Sequence, residues 1–281
     1  MANKTAIITG GARGMGLATA KIMAADHHIV LSDVDGEALA AAVAEIESDG
    51  GTAEFVVADI TDRAQVDAVF AGAAQAGGLR AVVHAAGVSP RMGSAEKIIE
   101  INAVGTINVV EAALAVADEG FAVVNVASIA AVMVPGFMIP KRAFGYARTD
   151  VDKLRQKLIA ASNRTGKRAA PKQAYPISKA FVVWYSAEMA AAFGASGARI
   201  LSVSPGSFDT EMGRLEESGG SGQLTQFAAL KRFGRPEEIA ELLAFCASSK
   251  PGYLTGVDIL CDGGTKAGMG LKEMITLARG A

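Results

Sequence analysis

The 281-residue sequence predicts an α/β fold, a single doubly wound domain spanning 1–281 in which a mostly parallel sheet is covered by helices. Three observations carry that prediction. Short β-rich apolar runs recur at 5–9, 28–32, 54–57, 80–84, 121–127, 199–203 and 257–260, and Ala-rich amphipathic stretches separate them. A glycine-rich turn follows the first run and opens a helix. Apolar residues make up 51% of the chain, enough to bury one sizeable core.

Composition excludes several classes of partner. The net charge is −2 with both signs interspersed, so no electrostatic footprint for nucleic acid or an anionic membrane surface is present. Cys246 and Cys261 lack paired metal-ligand spacing and read as buried, reduced thiols, with no metal site implied. The N-terminal Ala6-Ile7-Ile8 reads as a strand rather than a signal peptide. No uninterrupted apolar run reaches the roughly 18 residues of a membrane span. A cytoplasmic protein is expected.

The first strand runs into Thr9-Gly10-Gly11-Ala12-Arg13-Gly14-Met15-Gly16, and a helix begins beyond it. Glycines at such spacing permit a tight turn, close backbone approach to a pyrophosphate and helix-to-strand packing, while the helix N-terminus favours the negative charge. Asp33, with Val34, ends the second strand about twenty residues on, where a carboxylate binds the ribose hydroxyls of an adenosine and repels a 2′-phosphate. Arg13 pulls the other way, since a guanidinium pairs with phosphate. The balance favours NAD over NADP; the bland reading of Asp33 is a helix cap.

Asp59-Ile60 ends the third strand and is placed to meet the adenine amino group, with a cap again the alternative. The fourth ends in His84-Ala85-Ala86-Gly87, whose small residues let the chain pass close to a flat cofactor. His84 reads as a hydrogen-bonded structural residue. His27 and His28, beside Asp26, read as a solvated helix end.

Asn102 falls inside a predicted helix where an amide is not a core choice, so it either distorts the helix and holds a proton-relaying water or is an ordinary surface Asn. Ser128 follows the fifth strand without a nucleophile elbow around it, which suits holding a substrate oxygen rather than attacking one. A stretch of about 133–172 then interrupts the alternation: an apolar segment at 132–139, a charged helical run at 149–161 and a basic loop at 163–172. It reads as a helical insertion. Tyr175-Pro176-Ile177-Ser178-Lys179 follows at the start of an amphipathic helix. Spacing i, i+4 puts phenol and ammonium on one face, and a neighbouring cation favours the phenolate, making Tyr175 a candidate general acid/base. A second break at about 207–232, with Gly219-Gly220-Ser221-Gly222 at its middle, reads as a substrate lid.

These motifs, together with Pro205-Gly206 and Thr210, stand in the order typical of short-chain dehydrogenases/reductases, and the resemblance spans nearly the whole chain. It implies a Rossmann fold and a catalytic set of Asn102, Ser128, Tyr175 and Lys179. It further implies that Pro205, Gly206, Phe208 and Thr210 line the nicotinamide. Two departures stand out: His84 occupies a position where many members carry Asn, and Ser128 and Tyr175 are unusually far apart in sequence. The long insertion resembles the bacterial 3α-hydroxysteroid dehydrogenase/carbonyl reductase subgroup, which implies a hydrophobic, steroid-like secondary alcohol or ketone as substrate. Met212 and Phe227 in the lid suit such a ligand, though the apolar residues of an insertion more often pack it onto its own domain, and packing is the favoured reading. A homodimer or homotetramer is expected. The rival readings are an enoyl-type reductase and a regulator that binds the nicotinamide cofactor without turnover.

Overall fold

The computed structural model describes residues 4–216 and 224–270. Its seven strands are β1 (Lys4–Thr9), β2 (His27–Asp33), β3 (Thr52–Val57), β4 (Leu79–His84), β5 (Ala122–Val126), β6 (Arg199–Pro205) and β7 (Asp258–Cys261). They form one sheet in the order β3-β2-β1-β4-β5-β6-β7, and every pairing is parallel. All seven predicted runs are strands. The order reverses between β1 and β4, which opens a crevice at their carboxyl ends.

Side chains alternate across a strand, and in the five inner strands both faces are buried. Ile7, Val30, Val82, Val123 and Ile200 point to one core. That core is closed by α3 (Arg63–Ala76), α4 (Ala95–Ile99), α5 (Gly105–Val116) and α9 (Ala170–Glu188). Their immediate neighbours Ile8, Leu31, Val83, Val124 and Leu201 point to the other, under α1 (Gly14–Met23), α2 (Gly36–Ser48) and α12 (Pro236–Ala247). The continuous apolar composition of the strands follows from this two-sided burial. The helical run Ala95–Val116 is long and apolar enough to cross a bilayer, yet 67% of its most apolar window is buried inside the protein, as a core helix requires.

Several local expectations change. His27 and His28 belong to β2, because the register with β1 extends to a Lys4–His27 pair; His27 is buried with Nδ1 2.6 Å from Asp26. Asp33 does not cap α2: Asp35 does, its carboxylate accepting from Ala38 N at 3.1 Å, while Asp62 caps α3. Cys246 is buried as expected, whereas Cys261 lies on the edge strand β7 and is partly exposed.

The insertion is helical. It comprises α6 (Ala130–Met133), a short 3-10 turn, α7 (Lys141–Phe144), another turn and α8 (Val151–Ser162), whose first turn is capped by Asp150. Leu154 and Leu158 of α8 are fully buried, and Phe144 packs edge-on to Phe181 of α9 at 5.4 Å. Arg155 holds Glu100 in a two-pronged pair, 2.6 Å and 3.1 Å. Tyr175 sits in the second turn of α9 rather than at its start, since Ala170-Pro171 begin the helix inside the expected basic loop; Pro is favoured there because its missing N–H would be unpaired anyway. The α10 helix (Ala190–Gly194) and α11 (Glu211–Glu216) complete the described chain. The glycines at 219, 220 and 222 of the expected lid lie outside the described residues.

Candidate active site

A cleft of about 1170 Å³ opens at the carboxyl ends of the strands, and every site residue expected from sequence lines it except Asn102. Its floor is the β1–α1 turn. Gly10 has φ +65°, and a Cβ there would lie 2.6 Å from Ala86 N; a Cβ on Gly16 would lie 2.1 Å from Gly10 O. Only glycine lets the turn approach β4 and the helix this closely. Helix α1 has no side chain capping its N-terminus, so its first N–H groups remain open toward the cleft beside Gly14 and Met15. That arrangement fits a pyrophosphate.

Around the adenosine end, Asp33 Oδ1 accepts from Val34 N at 2.8 Å, and Val34 itself is exposed. Arg13 is paired with Asp35 and lies 3.8 Å from Glu211. Asp59 Oδ1 accepts from the Thr61 amide at 2.9 Å and hydroxyl at 2.8 Å, and Ile60 is buried against Gly105. Beyond β6, Pro205 and Gly206 edge the cleft, Phe208 is buried against Gly234, and Thr210 Oγ1 accepts from Gly213 N at 3.0 Å.

On the opposite wall, Tyr175 and Lys179 project from one face of α9 as the spacing predicts. The Ser128 hydroxyl accepts from Ala130 N at 3.1 Å, and Ser128 lines the cleft with Tyr175, whose phenol it favours in the ionised form. The electrostatics differ from the sequence expectation. Burial raises the Tyr175 pKa above the ordinary phenol value, Ser128 opposes that, and the Glu216 charge adds to it. The Lys179 ammonium is anchored on Val126 O at 2.9 Å, only 6% exposed, and burial brings its pKa down to about 8.

Asn102 does distort its helix: Glu100–Val104 forms a π turn between α4 and α5. Its amide is hydrogen-bonded to the β4 end and to α9. Nδ2 donates to Val88 O at 2.9 Å and Ser178 Oγ at 3.2 Å, while Oδ1 accepts from Val88 N at 2.9 Å. Gly87 lies between the two functional groups, since a Cβ there would sit 3.1 Å from Asn102 Oδ1 and 3.3 Å from Lys179 Nζ. Asn102 therefore positions the β4 end beside Lys179.

His84 is structural, as expected, and its partners were not visible in the sequence. Its Nδ1 is 2.6 Å from Thr9 Oγ1 and its Nε2 3.0 Å from Thr106 Oγ1. The Thr106 hydroxyl donates to Asn102 O at 2.8 Å, so it accepts from His84 Nε2–H, leaving Nδ1 to accept from Thr9. This chain ties the glycine turn, β4 and the π turn together. Burial, and secondarily the Lys179 charge, lower the His84 pKa to about 3, so the ring is neutral.

The substrate half is walled by Met133, Val134 and Met138 from the insertion, facing Met212 and Leu215 of α11. Ile139 is buried as packing, and Phe137 is 88% exposed. Phe227 does not line the cleft; its carbonyl lies against Gly268, where a Cβ would come within 2.0 Å.

Comparison with known proteins agrees with this geometry. A family model described as short chain dehydrogenase matches residues 4–140, and one described as Enoyl-(Acyl carrier protein) reductase matches 143–266. The trans-4-hydroxycyclohexanecarboxylate dehydrogenase of Sinomonas cyclohexanicum is 30% identical, over 97% of this chain and 96% of that protein. The chain belongs to the short-chain dehydrogenase family. Another member, the 2,5-dichloro-2,5-cyclohexadiene-1,4-diol dehydrogenase of Sphingobium indicum, is 29% identical over 96% of this chain and 98% of its own. Among solved members, a short chain dehydrogenase from Burkholderia cenocepacia in complex with NADP superposes with a TM-score of 0.74 at 25% identity, covering 94% of this chain and 98% of its own. This family member is accordingly an NAD(P)-dependent oxidoreductase of alcohols and ketones.

Proposed function

We propose that this short-chain dehydrogenase uses NAD in preference to NADP to interconvert a secondary alcohol and a ketone on a hydrophobic, ring-bearing substrate. The observation that carries the chemistry is the Ser128–Tyr175 hydroxyl pair, on the wall that also holds the buried Lys179. Ser128 and Tyr175 together hold the substrate oxygen. Burial keeps the phenol protonated at neutral pH, so Tyr175 gives its proton to the oxygen during reduction; in oxidation the phenol first loses its proton to solvent, and the phenolate then takes the proton of the alcohol. Lys179 sits one helical turn away and holds its proton at neutral pH, placed to orient the ribose. The bound nicotinamide supplies or accepts the hydride.

Two features support NAD. Asp33 presents its carboxylate at the end of β2, where it would repel a 2′-phosphate, and Arg13 is already engaged by Asp35 and Glu211. The two relatives' names describe ring alcohols, and the methionine-rich wall adapts to such shapes, a steroid nucleus included. The free thiols suit a reducing compartment such as the cytoplasm. A homodimer or homotetramer is the assembly we infer, formed away from the part of α9 that α8 covers.

The test is turnover of a panel of cyclic and steroidal secondary alcohols with NAD and NADP in parallel, beside Tyr175→Phe. Expected is NAD-linked oxidation that falls by about 10²–10⁴-fold in the variant while cofactor binding persists. Activity surviving in Tyr175→Phe would remove the mechanism, and faster NADP-linked turnover would remove the Asp33 reading. The match of 143–266 to a model named for an enoyl reductase favours double-bond reduction as the second reading. An unsaturated ketone that yields the saturated ketone rather than the allylic alcohol would establish it.

A further inference from the structure

Four cations line the cleft that hydride transfer does not use: Arg91, Lys97, Arg168 and Lys172. They come from three places in the chain. Arg91 lies on the 3-10 turn Pro90–Met92, Lys97 on α4, and Arg168 and Lys172 at the entry to α9, within the basic stretch noted in the sequence. Lys172 precedes Tyr175 by three residues on the same helix, so it shares the face that carries the catalytic phenol. The Lys97 stem is folded along Gly93, where a Cβ would lie 2.7 Å from its Cδ. Gly93 thus leaves room for that stem.

Other basic side chains of the protein are widely paired, as Arg63 with Asp67 and Glu111, or Arg232 with Glu238. None of the four in the cleft has an ion-pair partner among the described residues. The carboxylate beside them is Glu216, and it is committed elsewhere: Oε1 accepts the Ser89 hydroxyl at 2.7 Å and Arg91 N at 3.0 Å. The cleft's other carboxylates, Asp33, Asp35, Asp59 and Glu211, belong to its adenosine end, where Arg13 pairs with Asp35 and lies 3.8 Å from Glu211. All four cations are exposed and line a cleft with apolar walls, where like charges focus a field that draws in and orients an anion.

We propose that the substrate is amphipathic, a ketone or secondary alcohol whose hydrocarbon body lies on Met133, Val134 and Met138 and whose far end carries a carboxylate held by Arg91, Lys97, Arg168 and Lys172. The proposal rests on the alcohol–ketone reading above and specifies its substrate. A carboxylate suits the set because a guanidinium fork binds it with two parallel hydrogen bonds and lysines add compact charge.

The test uses two matched pairs, 4-oxocyclohexanecarboxylate and 3-oxocholanoate, each beside its methyl ester, so that charge changes while the skeleton does not. Binding to the NADH-loaded protein is measured by calorimetry, and turnover is followed separately. Expected is that the acid of at least one pair binds roughly ten-fold tighter than its ester at low salt. Half-molar sodium chloride should shrink that ratio, and the double substitution R168Q/K172Q should bring it close to one, through KM rather than kcat. Acid and ester that bind alike in both pairs, or not at all, overturn the proposal, as does a preference that survives the double substitution. Ester turnover that disappears in Tyr175→Phe keeps the alcohol–ketone reading standing whichever way the charge comparison falls.

Discussion

Around the β1–α1 turn the cleft wall is backbone and small side chains, whereas around Met133 and Met138 it is long, flexible ones. The first region has its polar groups spent on one another, through Thr9, His84, Thr106 and Asn102, and several glycines there admit no Cβ. The second comes from the insertion and α11, with Phe137 88% exposed and cations unpaired among the described residues. The difference teaches where the chemistry is fixed and where it is adjustable. A wall made of backbone holds one shape, so it suits the invariant cofactor; a wall made of rotatable side chains accommodates a chosen substrate.

Substitutions in the rigid half should therefore cost most. Gly10→Ala combines a positive φ with a backbone overlap at 2.6 Å from Ala86 N, so the folded protein should lose at least about 2 kcal/mol and cofactor binding should fail. Thermal unfolding and a fluorescence titration with NADH read both, and an unchanged titration would show that the turn is less constrained than the wall it forms.

The His84 chain gives the next effect. Its folded pKa of about 3 lies below the ordinary histidine value of 6.5, so the unfolded chain binds the extra proton between those limits. Its contribution to stability is thus complete above pH 6.5 and is lost progressively as pH falls toward 3. That amounts to about 2 kcal/mol on going from pH 7 to pH 5. Denaturant unfolding across this range should show the slope in the wild type and a flatter one in His84→Asn. Equal slopes would mean that another group carries the acid lability.

The smallest effect belongs to the insertion. Arg155 and Glu100 are about one-third exposed, so Arg155→Ala should cost only about 1 kcal/mol and leave NADH affinity alone. A large loss of NADH affinity would mean that the insertion supports the π turn, and the two regions would then be one.

The rigid half was also the half legible in the sequence. Strand ends, the glycine spacing and the Tyr175–Lys179 interval each follow from a backbone or helix requirement that restricts residue type, and all reappear in the cleft. What the sequence hid depends on which elements become neighbours. Thr9 meets His84 only because β1 lies beside β4, and Glu216 reaches Ser89 across 127 residues. Two acids compete for the cap of α2 in the sequence, and Asp35 takes it, leaving the Asp33 carboxylate at the end of β2; the Val126 O that anchors Lys179 was likewise hidden. The start of α9 was blurred because the basic loop ends in residues that are already helical.

The central claim is hydride transfer to a carbonyl carbon held between Ser128 and Tyr175. It is tested most directly with reduced NAD carrying deuterium at C4, incubated with a cyclic ketone and the wild-type protein, the product being analysed by mass spectrometry and NMR. The account predicts one deuterium on the carbinol carbon, with the label absent from the product when Tyr175→Phe replaces the wild type. Deuterium appearing instead on a carbon beside the carbonyl, or a ketone recovered unlabelled from wild type with every ring skeleton tried, would contradict it.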